Sequence, residues 1–528
     1  MYHHKNIVKV AGLILLFVIF CICSYAQPSL WGNLKNGKYN VGFKAIYDYD
    51  YSRPAIHEQS LKGQVVSMPS APARQMQISV WYPSERKGAG MKYQEYVLEM
   101  AKELDFTEPD LLRKDRVIEK VVSLFQDYQQ NQTFTKESLQ KLLDQPMYAT
   151  RNADAANGKF PVVIYPHWFS PMDGSIMGEY LASHGFVVAA INMKGTDSTL
   201  PEISPRGMRS QTADINFTVN KLGELNFCDV SKLAVMGVGF NGTAALTAMK
   251  DNSTIDAFIS LDGGIVTDNE LQMFQESGDV QLATLNKPMM FINAPHASIK
   301  PELSSYFKYA DKYLIRFPAM SEYYFLNNGM IESILPGIIG KPPGDVKTGY
   351  EWASRYVLNF LSYVLKEHLK SKQFLTNDTV DNGIPPGIVE PAFVPAVGKG
   401  MDYQHLKSLC VDGGASALRQ WFDSIKATDP QPLSTSVMAD LFNWLGFGRD
   451  EDFSIRHELI RIWLESYPAS ARGNYVKGRI MTIEKKYDEA KVFYEKALVL
   501  LPDDYDPYLN SVIRHRIKTV STQELTNH

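Results

Sequence analysis

From residue 160 onward the chain repeats one pattern. A short apolar run is followed by a segment whose apolar positions recur every three or four residues. The runs are "FPVVIYP", "FVVAAIN", "KLAVMG", "AFISLDG", "KPMMFINA" and "KYLIRFP". Uninterrupted apolar runs bounded by Gly, Pro and Asn predict strands buried on both faces. The segments between them, "GEYLASHG", "GMRSQTADINFTVNKLGEL" and "NGTAALTAMK", have helical spacing, as does the long "TGYEWASRYVLNFLSYVLKEHL" that follows "KYLIRFP". Strand and helix alternating at this length predict an open, mostly parallel sheet with helices on both faces.

The flanking regions read differently. Residues 39–83 alternate apolar and polar and carry many aromatics, the mark of antiparallel strands at the start of a sheet. Residues 90–146 switch to helical spacing, with Thr135 as a candidate helix cap, and form an insertion or a cap over a cleft. Residues 373–400 hold Pro385, Pro386, Pro391 and Pro395 without helical period, and predict a linker or an arm lying on the surface. From 401 to 528 the spacing is helical again. Pro468 and Pro502 lie 34 positions apart (502 − 468), and Gly478, Ala490, Tyr494 and Ala497 occupy the small and aromatic positions of a tetratricopeptide-like unit. In the preceding copy Trp444 and Arg456 replace Gly478 and Ala490. Two such units are too few for a free-standing solenoid core, so they are expected to pack on residues 401–427 or on the main domain.

Composition alters this picture at the N-terminus. Lys5 and Lys9 precede an apolar run from Ala11 to Cys23 and a small-x-small site at Ser24-Tyr25-Ala26. This is the layout of a secretory signal cleaved after Ala26, and it predicts a secreted or periplasmic protein. The alternative, a retained anchor, has an apolar run shorter than the ~20 residues a span needs. The expected units are therefore a signal peptide (1–26), an α/β domain (27–372), a linker (373–400) and a helical segment (401–528). Two cysteines fall within the signal, and Cys228 and Cys410 read as separate thiols. A net charge of −4 without a basic run gives nucleic acid no electrostatic footprint. Metal-binding and phosphate-loop motifs are absent, so neither a metal nor another cofactor is expected.

The stretch "KLAVMGVGFNGTAALTAMK" (232–250) carries the chemistry. A buried strand, a Gly-rich turn and a helix are the frame of a nucleophile elbow, G-x-S-x-G, but the central position is Gly239 and the last is Asn241. Together with "WYPS", "FPVVIYPHWF", "EYLASHGFVVAAIN", "FISLDGG", "PMMFINA" and "LNFLSYVLKEHL", this stretch resembles secreted α/β-hydrolases of the platelet-activating-factor acetylhydrolase and dienelactone-hydrolase type. The resemblance spans residues 39–370.

It implies an α/β-hydrolase fold and places a catalytic triad, residue by residue, on this chain. The nucleophile position is Gly239, which has no side-chain oxygen to attack an ester carbonyl. The acid position is Asp262, after "AFISL". The base position, three residues before Phe325, is Glu322, and no His lies between His296 and His368. Outside the family frame, Glu322 reads as a surface or loop carboxylate and Asp262 as a turn residue. The oxyanion donors fall on the backbone amides of Phe240 and Phe169. His167 matches the His of an H-G motif whose Gly is replaced by Trp168. His184 reads as a helix-terminal residue.

Three functions compete. The first is a non-catalytic binding protein of esterase ancestry, whose cleft takes an apolar ester-like molecule. The second is an active carboxylic-ester hydrolase with relocated groups, for which Ser170 and His296 are the candidate pair. The third is a protein-interaction module acting through the C-terminal helices.

Overall fold

The computed structural model describes residues 29–53, 55–61, 64–71, 73–85, 88–102, 116–119, 121–123, 135–168, 171–196, 202–263, 270, 285–295, 307–397, 403–433, 435–446, 453–501 and 507–526. The expected signal peptide lies outside them. Twelve strands are named in chain order: β1 Asn40–Asp50, β2 Ala55–Leu61, β3 Gln64–Ala71, β4 Arg74–Ser84, β5 Thr150–Arg151, β6 Phe160–His167, β7 Val187–Asn192, β8 Cys228–Val238, β9 Ile255–Leu261, β10 Met289–Asn293, β11 Lys312–Arg316 and β12 Glu390–Val394. Ten of them form one sheet in the order β12-β11-β10-β9-β8-β6-β7-β4-β1-β5, while β2 and β3 pair as a separate hairpin.

The order identifies the fold. Count β1, β4 and β6 to β11 as strands one to eight. Their order across the sheet is then 1-2-4-3-5-6-7-8, and the second strand runs antiparallel to both neighbours. From β7 to β11 every pairing is parallel. This is the α/β-hydrolase arrangement, followed by an all-α C-terminal segment. The reversal of strand order between β6 and β8, where the chain first builds outward to β7 and then to β9, leaves the carboxyl ends of these strands as the place where groups from different elements converge.

Side-chain alternation divides the core into two layers. Val163, Tyr165, Val188, Ala190, Ala234, Met236, Val238, Ile259 and Ile292 face one side with the helix Val346–Lys366. Val162, Ile164, Val187, Ala189, Leu233, Val235, Phe258 and Phe291 face the other with the helices Pro205–Gly223 and Phe240–Asp251. The apolar runs are continuous in sequence because both faces of each strand are covered.

Two expectations change. The sheet does not end at "KYLIRFP". The segment 373–400, expected to be a linker or surface arm, supplies β12, which pairs antiparallel with β11 from Lys312↔Val394 to Arg316↔Glu390. Pro391 and Pro395 hid the strand, yet proline is tolerated on a sheet edge, where one row of N–H groups has no ladder partner. The helix Leu369–Thr376 also reaches into that segment.

The helical insertion between β4 and β5 joins the main core. Tyr93, Tyr96 and Val97 of the helix Tyr93–Ala101, and Leu139, Leu142 and Leu143 of the helix Lys136–Leu143, are buried with Ile176 and Tyr180. Thr135 caps the second helix by accepting from Ser138 N at 3.2 Å. One carboxylate fastens these parts. Glu179 is fully buried and accepts from Trp31 Nε1 at 3.0 Å, Tyr96 Oη at 2.7 Å, Tyr148 N at 2.9 Å and Ala149 N at 2.9 Å. Tyr96 in turn accepts from Trp81 Nε1 at 2.9 Å.

The C-terminal helices build their own core from Leu406 to Val520, which includes Leu418 and Phe422 of the 401–427 region. A Cβ at Gly478 would lie 2.7 Å from the Tyr494 ring, so the small residue permits the helices Ala471–Ile483 and Tyr487–Leu500 to approach. Arg456, at the corresponding small position of the earlier copy, is buried and donates to the carbonyls of Leu445 and Gly446, capping the helix Thr435–Leu445. The segment is tied to the sheet just before β11. Lys308 pairs with Asp429 at 2.6 Å, and the Tyr309 hydroxyl donates to Asp429 and to the Pro432 carbonyl. Cys228 and Cys410 are free and buried. Among the described residues no helix is long and apolar enough to cross a membrane.

Replacing Glu179 with Leu strands four buried donors. The expected loss is about 3–5 kcal/mol of folding free energy, read as a lowered urea midpoint. Glu179→Gln keeps one acceptor oxygen and is expected to lose less.

Candidate functional site

The site grows from β8. Gly237 lies so close to the following helix that a Cβ there would be 2.5 Å from the Asn241 carbonyl carbon. The chain then turns sharply at Gly239, with φ +52° and ψ −132°. An L side chain is strained in that region, whereas glycine enters it freely. The turn is held on both sides: Gly239 N donates to Leu261 O at 3.1 Å, and Gly239 O accepts from Gly242 N at 2.9 Å. Gly263 is equally constrained, since its Cβ would sit 2.0 Å from Gly239 O. Its glycine, read from sequence only as part of a turn, makes room for the elbow.

Asp262 follows β9 directly, also at positive φ (+54°). Its N–H donates to Ile292 O at 2.7 Å, and its Oδ1 accepts from Ala294 N at 2.8 Å. Asp262 is thus pinned across the ends of β9 and β10, beside the elbow.

Glu322 is the correction. The residue-level reading made it a surface or loop carboxylate. It lies instead in a short helical turn, Glu322–Phe325, with its carboxyl group directed at Gly239. A Cβ built on Gly239 would meet Glu322 Oε1 at 2.1 Å and Cδ at 3.1 Å. The glutamate oxygen therefore fills the space a nucleophile side chain would need. Phe325 and Tyr324, buried in the core, draw this turn inward and carry Glu322 with them.

Sequence reasoning missed Glu270, because no pattern marked it. It is buried, and its Oε1 accepts from Thr243 Oγ1 at 3.2 Å, on the second turn of the elbow helix. Burial first, then the charges of Asp262 and Glu270, push the Glu322 carboxyl up to about 7. Among the described residues no hydrogen-bond donor and no cation is paired with it.

The oxyanion positions divide. Phe240 opens the elbow helix, where the first N–H groups have no acceptor within the helix. Phe169 lies outside the described residues, as do Ser170 and His296. His167 closes β6 and is fully buried, with both ring nitrogens unpartnered among the described residues. Desolvation drives its pKa down to about 3, which keeps the ring neutral. Its imidazole packs on Tyr165, with centroids 3.7 Å apart, and against Gly174, where a Cβ would lie 2.2 Å from the ring. The ring is packed inside the core, tilted by 55° against Tyr165. Trp168 is half-buried beside it and packs on the Phe240 layer. His184 ends the helix Ser175–Ser183, its Nδ1 2.9 Å from Tyr180 O.

No family model matches the chain, and no curated protein matches it. Among solved structures it is similar to a ferulic acid esterase from Streptomyces cinnamoneus, at 18% identity over 63% of this chain and 92% of that one, with a TM-score of 0.44.

A carboxyl group whose native pKa is raised binds its proton more tightly when folded. It therefore lowers stability as pH rises from about 4.5 to about 7, and the penalty is complete above that window. Glu322→Gln removes the penalty. The variant is expected to match the parent at pH 4 and exceed it at pH 8, by less than the ~3 kcal/mol that the full shift would give at about 1.4 kcal/mol per unit. Water screens a half-buried carboxylate, so the gain falls below that bound. Urea midpoints of both proteins at the two pH values measure the difference.

Proposed function

We propose that this chain is a non-catalytic binding protein of esterase ancestry. It is exported by its N-terminal signal, is related to the platelet-activating-factor acetylhydrolase and dienelactone-hydrolase type, and ends in tetratricopeptide-like units. The observation that carries the reading is the coupled state of two positions. Gly239 retains the backbone of a nucleophile elbow and offers no oxygen. Glu322, at the base position, occupies the volume where that oxygen would be.

The chemistry follows from those atoms. Acyl transfer by this fold needs an alkoxide nucleophile, a base to take its proton and an oxyanion hole. Backbone amides survive side-chain replacement, so the Phe240 N–H remains a donor for a ligand carbonyl. Asp262 keeps the acid position, while the base position holds Glu322 in place of an imidazole. With nucleophile and base both gone, catalysis falls to what binding and an oxyanion hole supply, ~10³–10⁴ over water. The cleft then serves to hold a ligand.

The test compares the parent chain with Gly239→Ser and with Gly239→Ser, Glu322→His. A fluorophosphonate probe followed by intact mass measures adducts at serine, and short-chain p-nitrophenyl esters measure turnover. The parent and the single variant are expected to show neither, because the restored hydroxyl meets a carboxylate instead of an imidazole. The double variant is expected to gain labelling. An adduct at any serine of the parent chain overturns the reading.

A further inference from the structure

The chain holds five Asn-Gly pairs: 36–37, 157–158, 241–242, 328–329 and 382–383. Such a pair has the atoms to modify itself. The glycine amide nitrogen carries no neighbouring side chain to shield it, and it closes a five-membered ring when it reaches the asparagine side-chain carbonyl. What each glycine N–H does in the fold separates the five. We propose that Asn157-Gly158, in the loop between β5 and β6, is a self-modification site, where the Asn157 amide becomes a carboxylate through a cyclic imide.

Ring closure needs a glycine nitrogen that is not committed elsewhere and a backbone free to bend. Four pairs lack the first. Gly37 N donates to Ser183 Oγ at 3.0 Å. Gly242 N donates to Gly239 O at 2.9 Å within the elbow helix, where Asn241 is fully buried. Gly329 N donates to Leu326 O at 3.1 Å, and Gly383 N to Val380 O at 2.9 Å. Gly158 N has no acceptor among the described residues. Both residues of its pair are exposed, Gly158 has φ +109°, and a Cβ built on it would meet nothing within 4 Å. No backbone ladder has to break for the ring to form there.

Asn157 is held only through Glu85. Its Nδ2 donates to Glu85 Oε1 at 2.6 Å, and its N–H donates to the same oxygen at 3.2 Å. These exposed bonds fix the leaving nitrogen and do not engage the attacking one. In the step itself, the Gly158 nitrogen attacks Asn157 Cγ and an N–C bond forms. The Cγ–Nδ2 bond breaks, and Nδ2 departs as ammonia with the Gly158 amide proton. Water then opens the imide at either carbonyl, giving aspartate or its isomer linked through the side chain. Either product sets a carboxylate where Nδ2 now donates to Glu85, so like charges face each other at the end of the loop. The rest of the loop stays tied to β4, through Ala156 N to Pro83 O at 2.8 Å and Ser84 Oγ to Asp154 O at 2.9 Å.

Incubation of the full chain at pH 8 and 37 °C, then proteolysis in acid and peptide mass spectrometry, tests the proposal. The Asn157 peptide is expected to gain the mass of an amide-to-acid exchange at least tenfold faster than the peptide of any other Asn-Gly pair. Hydroxylamine, which cleaves imides, is expected to cut the chain after residue 157. Asn157→Gln, whose longer side chain must close a larger ring, is expected to hold its mass and give no such cut. In concentrated urea the five rates are expected to converge, because the folded chain is what protects the other four. Conversion at Asn157 no faster than at the other pairs, absence of the hydroxylamine cut, or a tenfold preference that persists in urea overturns the proposal.

Discussion

One steric exclusion organises the site: a Cβ at residue 239 and the carboxyl group of Glu322 cannot occupy the same space. The elbow demands a backbone with φ +52° and ψ −132°, and glycine supplies it at little cost. Removing the side chain there lets the turn after β11 carry an acidic group inward instead of a ring. The raised pKa of Glu322 follows from that entry, first because the carboxyl group loses water and then because it faces the charges of Asp262 and Glu270. The loss of a nucleophile and the gain of a half-buried acid are thus two sides of one packing arrangement.

The scaffold that permits this is rigid. The strands β6 to β10 are covered on both faces, and the elbow turn is hydrogen-bonded to the end of β9 through Leu261 O. Asp262 is pinned in turn to β10 through Ala294 N. Neighbouring strand ends therefore fix Gly239 and Asp262 relative to each other. Against the same core layer, Glu179 does a structural task with the same chemical group: four donors surround it, where Glu322 has none among the described residues. The two carboxyl groups differ in role because Glu179 is fully buried and saturated with hydrogen bonds, whereas Glu322 is half-buried and has none among the described residues.

Much of this was legible in sequence. The apolar runs 160–166 and 186–192 announced buried parallel strands, and the glycines around 237–239 announced the elbow before any coordinates. The family resemblance set Asp262 directly after a strand, and β9 does end at Leu261. Other features were hidden for physical reasons. Glu322 looked like a surface residue because a lone carboxylate normally stays in water, and only the missing side chain at Gly239, distant in sequence, makes room for it. β12 was concealed by its prolines, which an edge strand accepts. Arg456 looked like a decayed small position, whereas its guanidinium caps a neighbouring helix. Glu270 lay in no pattern that single-sequence reasoning reads.

The central claim concerns shared volume, and a double-mutant cycle measures it. Gly239→Ala carries backbone strain in any background, but its collision with Glu322 exists only while the glutamate is present. The oxygen it meets ends a rotatable chain, so the collision is relieved only by moving the carboxyl group out of the elbow. The account predicts that Gly239→Ala costs about 1 kcal/mol or more less in a Glu322→Ala background than in the parent, within the range found for contacting residues. Additivity of the two substitutions, within about 0.3 kcal/mol, would contradict it.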